Sequence, residues 1–304
     1  MNVYTAYVMT IAATTCWGLT GLFVSGLHEA GFSSLEVVTI RLSVSTIVLF
    51  LLISIFAPRY LKIQMKHLPF LAALGIVSLS FFNWAYFTVI EQASLSIAVV
   101  LLYTSPIFAA ILARVFFNEP LTKQKAAALV LTFIGCAFVV GYFPGGNLDI
   151  TPVTLVIGIL SGFFCSLYSI IGKAVSRYYH TLTITTYAMF TGTLFMFPLS
   201  RVWEEPSRFM NNTVWLYIIA ITLISTLLGY LLYTYALAFI ESSQATIFST
   251  MEPVIAILIG VTILNDPLSS FQVFGIFLVL SAIFVMIIRK KKRKVTPYTW
   301  DQAT

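Results

Sequence analysis

Predominantly apolar stretches of bilayer-spanning length recur ten times along this chain. They cover approximately residues 7–27, 35–57, 68–90, 95–117, 126–143, 152–172, 182–199, 214–238, 245–264 and 271–288. A hydrocarbon core of about 30 Å needs roughly 20 apolar residues in helix, so each stretch predicts one membrane-spanning helix. The polar segments between them are short. No nucleotide-binding loop, long linker or extramembrane domain is visible. The first stretch has no basic segment ahead of it and is long enough to span, so it reads as the first membrane helix rather than a cleaved signal peptide.

Composition agrees with that pattern. Of 304 residues, 59% are hydrophobic and 9% are charged, where a soluble domain carries about 25% charged residues. Mean hydropathy is +0.96. The predicted class is therefore an all-α integral membrane protein of ten transmembrane helices. Cys16, Cys136 and Cys165 lie within apolar stretches without a CxxC pair, which reads as small hydrophobic filler and not as a disulfide framework or zinc site. His28, His67 and His180 fall between the stretches and outside any HExxH pattern. There is no Walker A sequence, so ATP does not drive the protein directly. No metal, no cofactor and no enzymatic activity are expected.

The formal charge of +6 is mainly an orientation signal. With the N-terminus placed in the cytoplasm, Arg59, Lys62, Lys66, Arg114, Lys123, Lys125, Lys173, Arg177 and the tail Arg289 to Lys294 all fall on the inner side. Only Arg201 and Arg208 fall outside, and Arg41 is left within a span. Lys and Arg beside membrane helices favour the cytoplasmic side, so both termini are expected there, in a plasma membrane. The basic tail reads as a stop signal and solvated end. No nucleic-acid partner is expected.

The sequence repeats itself. Shifted by 147 residues, Pro106 falls on Pro253, Ala109 on Ala256, Asn118 on Asn265, Glu119 on Asp266, Pro120 on Pro267, Leu121 on Leu268 and Tyr86 on Tyr233. The chain divides into a first unit at 1–143, a Gly- and Pro-containing connector at 144–151, a second unit at 152–288 and a tail at 289–304. Five spans per unit is an odd number, so the second unit enters from the opposite side and the halves are inverted. Inverted repeats are a common build of secondary transporters, because one pattern then supplies a gate near each face. Pro106 and Pro253 each remove a backbone hydrogen bond within a span and predict a hinge or a rigid kink. Asn118-Glu119-Pro120 and Asn265-Asp266-Pro267 read as helix-end caps and stops.

The two segments "TSPIFAAILARVFFNEPL" and "MEPVIAILIGVTILNDPL", with "CWGLTGLF" and "IRLSVSTIVLF" nearer the start, make the chain resemble the drug/metabolite transporter superfamily, specifically its EamA-type branch. The resemblance covers nearly the whole chain. It implies two inverted EamA domains around a central cavity lined mainly by helices one, three, four, six, eight and nine. It also implies export of amino acids or other small metabolites by alternating access. Many members carry an acid before the proline of the second copy only. Here Ser105 stands at that place in the first copy, and a charged role is carried onto Glu252 alone.

Glu252 sits about ten residues into its span. A carboxylate at that depth costs roughly 3 kcal/mol on insertion scales, so it faces a wet cavity, pairs with a cation or carries a proton. It is read as a ligand for a substrate ammonium or a proton carrier, against a neutral acid bonded to backbone loosened by Pro253. Arg41 lies about seven residues into the second span, roughly 10 Å deep. It snorkels outward, pairs with Glu36 or a carbonyl, or meets a substrate carboxylate. Trp17, Asn83, Trp84, Tyr86, Tyr103, Tyr168, Tyr230, Tyr233 and Thr250 fall on helices expected to line the centre. Rings beside scattered polar groups suit a small organic solute better than a bare ion. Gly158 and Gly162 form GxxxG, read as internal helix packing or a dimer contact. The expected function is a secondary transporter of small organic metabolites such as amino acids, with proton coupling open. The competing classes are a multidrug-type carrier and a non-transporting membrane scaffold. Oligomeric state is not legible in the sequence.

Overall fold

The structure is a computed structural model that describes residues 3–142, 150–263 and 267–288. Residues 144–149 of the expected connector, the cap at Asn265 and Asp266, and the tail 289–304 lie outside the described residues. Among those described, ten helical columns follow one another: α1 (Val3–Glu29), α2 (Ser34–Phe56), α3 (Met65–Gln92), α4 (Leu95–Phe117), α5 (Lys123–Val139), α6 (Pro152–Val175), α7 (Thr181–Ser200), α8 (Asn212–Leu237), α9 (Ser242–Ile263) and α10 (Ser270–Ile287). Nine are long and apolar enough to cross a bilayer, and α5 is shorter at 17 residues. The protein is a multi-pass integral membrane protein built as two inverted five-helix repeats.

Local chemistry starts these columns where the sequence changes from polar to apolar. Ser33, Ser94, Thr122, Thr151 and Ser269 each accept a backbone N–H of the first turn through the side-chain oxygen, which satisfies donors a helix start leaves open. The outer surface is apolar: Ile55, Phe56, Val115, Phe116, Phe277 and Phe284 are all exposed. Buried hydroxyls are turned inward and returned to their own helix, as in Thr10 to Ala6 O at 2.9 Å and Thr46 to Leu42 O at 2.8 Å. In lipid such a group has no water to bond instead.

Packing repeats the sequence symmetry. α3 packs on α6 as α8 packs on α1, and α4 on α6 as α9 on α1. α2, α4 and α5 meet their own counterparts α7, α9 and α10. Gly158 and Gly162 lie where α6 meets Leu101 and Thr104 of α4, so the GxxxG pair serves close packing inside the chain. Both copies also contain a π-wound stretch: Ile76–Phe81 in α3 and Ile221–Leu228 in α8. Shifted by the repeat, the two overlap. Each stands directly before the inward residues of its column, Asn83 and Tyr86 in one and Tyr230 and Tyr233 in the other. π turns occur mostly as single insertions at functional sites; here they turn the following residues toward the centre.

A latch joins the halves at one face. Arg208 donates to Glu36 Oε1 at 2.6 Å, to Glu36 Oε2 at 3.2 Å and to the Gly31 carbonyl at 2.7 Å. Its guanidinium lies 4.6 Å from the centre of the Phe32 ring. Hydrogen bonding to Glu36 holds the guanidinium above its ordinary range despite partial burial. Arg208→Met is expected to cost about 3 kcal/mol, because it leaves a buried carboxylate unpaired. Arg208→Lys should restore only part, since it lacks the planar fork. Thermal unfolding in detergent reads both; an unchanged Tm for Arg208→Met would remove the latch.

Candidate functional site

The site is organised by two broken helices. α4 stops at Leu102, turns through Tyr103 and Thr104, and restarts as α4b (Ser105–Phe117). α9 stops at Ser249, turns at Thr250, and restarts as α9b (Met251–Ile263). Pro106 and Pro253 therefore lie in the first turns of new helices, where the missing N–H costs nothing. The sequence pattern predicted a kink within a continuous helix and Glu252 at its middle. The structure instead puts Glu252 in the first turn of a half-helix. Unpaired backbone donors and the positive end of the helix dipole favour a carboxylate there. Ser105 takes the matching place at the start of α4b.

Glu252 is half-buried, and among the described residues no hydrogen bond or ion pair reaches its carboxylate. It is nevertheless surrounded by protein. Arg41 of α2 is near enough to act on it electrostatically. Glu252 acts in the same way on Tyr86 of α3, Tyr103 of α4, Cys136 of α5, Cys165 of α6 and Tyr230 of α8. An acid flanked by six other columns yet still accessible faces interior space. Arg41, also half-buried, donates from Nη2 to Asn83 Oδ1 at 3.5 Å, while its Nε has no partner among the described residues. Asn83 is fixed by donating its Nδ2 to the Leu79 carbonyl at 2.6 Å, inside the π turn. Glu36, one expected partner of Arg41, is held by Arg208 instead.

Aromatic rings wall this space. Trp17 packs on Tyr230 at 5.3 Å and on Tyr233 at 5.1 Å, and Tyr168 packs on Tyr230 at 5.2 Å. Two rings are pinned: the Tyr168 hydroxyl lies 2.8 Å from Thr234 Oγ1, and the Tyr233 hydroxyl 2.7 Å from Ser169 Oγ. Trp17 is seated by Gly229, where an added Cβ would stand 2.6 Å from Nε1 and 2.9 Å from Cδ1. Gly229→Ala is expected to cost about 1–3 kcal/mol by overpacking. Trp17→Phe, which removes the clashing ring, should recover most of that in the double variant. Additive Tm losses in detergent would mean that the two residues do not meet.

The structure thus brings Trp17, Arg41, Asn83, Tyr86, Tyr103, Tyr168, Tyr230, Tyr233 and Glu252 together. Thr250 is buried and donates its hydroxyl to the Ile247 carbonyl at 2.6 Å, closing the first half of α9. Trp84 is a correction: it is 47% exposed, one residue and about 100° around the helix from Asn83. One column outside the expected lining set contributes, α2 through Arg41; Cys136 of α5 lies within electrostatic reach of Glu252 but is fully buried. Sequence reasoning also missed Cys165, half-buried beside Glu252 and Ser105. His28 lies in the last turn of α1 and not in a loop. Among the described residues no cluster of His, Cys, Asp and Glu could hold a metal ion. A separate groove of about 420 Å³ between α4 and α5, lined by Ile107, Leu129, Val130 and Ile134 among others, is wholly apolar.

Comparison with known proteins bears on the whole chain. The EamA-like transporter family model matches twice, at residues 4–141 and 153–288. An uncharacterized transporter of Archaeoglobus fulgidus is 28% identical over 288 residues, covering 94% of this chain and 99% of that protein. The uncharacterized transporter YyaM of Bacillus subtilis is 26% identical over 238 residues, 76% of this chain and 77% of its own length. A solved crystal structure superposes with a TM-score of 0.77 at 16% identity, over 93% of this chain and 96% of that one, and so shares the fold. With two matched repeats spanning nearly its full length, the chain belongs to the EamA-like transporter family and is a membrane transporter, not an enzyme.

Proposed function

We propose that the protein is a secondary transporter, running as an exporter, of small organic solutes that carry both an amine and a carboxylate, amino acids and related metabolites among them. One observation carries this reading. The Glu252 carboxylate, without a protein partner among the described residues, and the Arg41 guanidinium share one interior space walled by aromatic rings. An ammonium fits the first and a carboxylate the second. Apolar side-chain atoms of the solute fit Trp17, Tyr86, Tyr103 and Tyr230.

In this reading the units at 1–143 and 152–288 exchange conformations about the breaks at Pro106 and Pro253, which act as hinges. Glu252 takes the solute amine or a coupled proton. In this reading the protein sits in the plasma membrane, and the distribution of basic residues supports both termini in the cytoplasm. The test is counterflow from proteoliposomes loaded with amino acids, nucleosides and sugars, followed by mass spectrometry of the external solution against empty liposomes. Selective loss of amino acids is the expected result. With bulky hydrophobic cations added to the pool, their loss instead would indicate a multidrug carrier, and no loss from folded protein would place the substrate outside these classes.

A further inference from the structure

At one face of the molecule, away from the central site, four charged side chains are buried together. Lys125 Nζ lies 2.7 Å from Glu241 Oε2 and 3.4 Å from Glu119 Oε2, and Lys173 Nζ lies 3.6 Å from Glu119 Oε1. Lys125, Glu119 and Glu241 are all buried, and Lys173 is nearly so. Glu119 also accepts the Ser242 N–H at 2.9 Å, the Ser243 N–H at 3.5 Å and the Ser243 hydroxyl at 2.6 Å. Lys173 donates further to the Ile240 carbonyl. Burial alone would raise the Glu119 carboxyl; Lys173, the Ser243 hydroxyl, Lys125 and the Ser242 amide outweigh it and hold it below the usual range. It therefore remains an anion at neutral pH.

The sequence pattern reads Asn118-Glu119-Pro120 as a helix end, and Asn118 does close α4b, in the left-handed conformation with φ 52°. Glu119 instead caps a helix of the other repeat. It grips the first residues of α9a (Ser242–Ser249), whose far end is the turn that presents Glu252. Glu119 and Lys125 belong to the first unit, Lys173 and Glu241 to the second, so this cluster crosses the boundary between the halves.

Among the described residues the cluster has no equal in the other copy, where Gly26 falls opposite Lys173; Asp266, opposite Glu119, lies outside them. The repeat places Gln272 opposite Lys125 and Ser94 opposite Glu241. There, Ser94 caps its own helix with its hydroxyl, which accepts the Ile97 N–H at 3.2 Å. The start of α9a is thus clamped by charges across the unit boundary, whereas among the described residues the start of α4 is capped by a neutral hydroxyl of its own unit.

We propose that Glu119 is the positioning residue of a charge lock that holds this face closed, so that the central site reaches this face only when Glu119 releases the start of α9a. The proposal rests on the alternating-access reading above. The face is the one bearing Arg114, Lys123 and Arg177. Removing one member of a buried ion cluster strands the others and so penalises the closed form, which shifts the balance toward the open form.

Cys165, half-buried beside Glu252, is a native reporter of access to the centre, whereas Cys16 and Cys136 are buried. In a Cys16→Ala, Cys136→Ala background, a membrane-impermeant methanethiosulfonate is applied to right-side-out and inverted vesicles. Modification of Cys165 is followed by intact mass. The parent is expected to react from the face opposite the cluster. Glu119→Gln is expected to speed reaction from the cluster face by about tenfold or more. Glu119→Asp, which keeps the charge, should restore most of the parent's sidedness. Arg208→Met, which breaks the ion pair joining the halves at the opposite face, should not speed reaction from the cluster face. Unchanged labelling in Glu119→Gln, or an equal rise in Arg208→Met, would overturn the lock alone. Equal labelling of the parent from both faces would overturn the lock and the alternating-access reading together.

Discussion

Glu252→Gln is expected to lower transport of amine-bearing solutes by about ten- to a hundred-fold while leaving the ten-helix fold intact. The estimate follows from replacing a charge-assisted hydrogen bond by a neutral one, a loss of about 1.5–3 kcal/mol. Glutamine has nearly the same shape, so packing at the first turn of α9b is preserved. No protein partner is lost, because among the described residues none bonds the carboxylate. The fold should tolerate the change or gain from it, since an unpaired interior charge is costly. Loss of function with retained or raised Tm is the signature of a site residue, and a structural acid would show the opposite. Glu252→Asp keeps the charge one methylene short and should fall between the two. Counterflow of amino acids at the wild-type rate by Glu252→Gln would remove Glu252 from the site.

The architecture was legible because lipid imposes a length. A stretch such as 35–57 or 271–288 has few other stable solutions at its hydropathy. The duplication was legible from Pro106 and Pro253 and their Asn-acid-Pro-Leu endings. The helix breaks were not, because apolar residues run straight through Leu95–Phe117 and Ser242–Ile263. The available signal was the missing N–H of Pro106 and Pro253 and the clash of each ring with the carbonyl four residues back, at Leu102 and Ser249, where the first half-helices end. The π turns had no signal: Ile76–Phe81 and Ile221–Leu228 contain ordinary apolar and hydroxyl residues. Trp84 was misplaced for the same reason, since the face of one residue depends on how the preceding turn is wound. The role of Glu119 was hidden by distance along the chain. Its partners Ser242 and Ser243 lie 123 and 124 residues away, and no local pattern links them.

Two kinds of charge therefore sit in this protein. Glu119, Lys125, Lys173 and Glu241 satisfy one another, as does the Arg208–Glu36 pair. Glu252 and Arg41 are only partly satisfied, and they are the pair that meets interior space. Buried polar groups are normally paired, and those left open mark where a ligand completes the set. The Ser105 position shows that the opening is specific to one copy. The same half-helix start exists in α4b, but with a hydroxyl where α9b has an acid.

Arg41 supplies the second large expected effect, and it separates solute binding from anchoring. Arg41→Met should reduce counterflow of amino acids by about tenfold or more, by the same 1.5–3 kcal/mol for a lost charge-assisted bond. Amines of similar shape without a carboxylate should be moved as well as by the wild type, or better. The geometry motivates this selectivity. Nη2 is engaged by Asn83, but Nε has no partner among the described residues, and the guanidinium acts on both Tyr230 and Glu252. A guanidinium held at one corner keeps donors for a planar, two-oxygen acceptor. Arg41→Lys retains the charge but not the fork and should recover only a minor part of the flux. If instead Arg41 serves to reach the membrane interface, lysine snorkels equally well, and Arg41→Lys would match the wild type for every solute. Full activity of the lysine variant, or an equal loss of amines and amino acids in Arg41→Met, would show that the carboxylate is not recognised here.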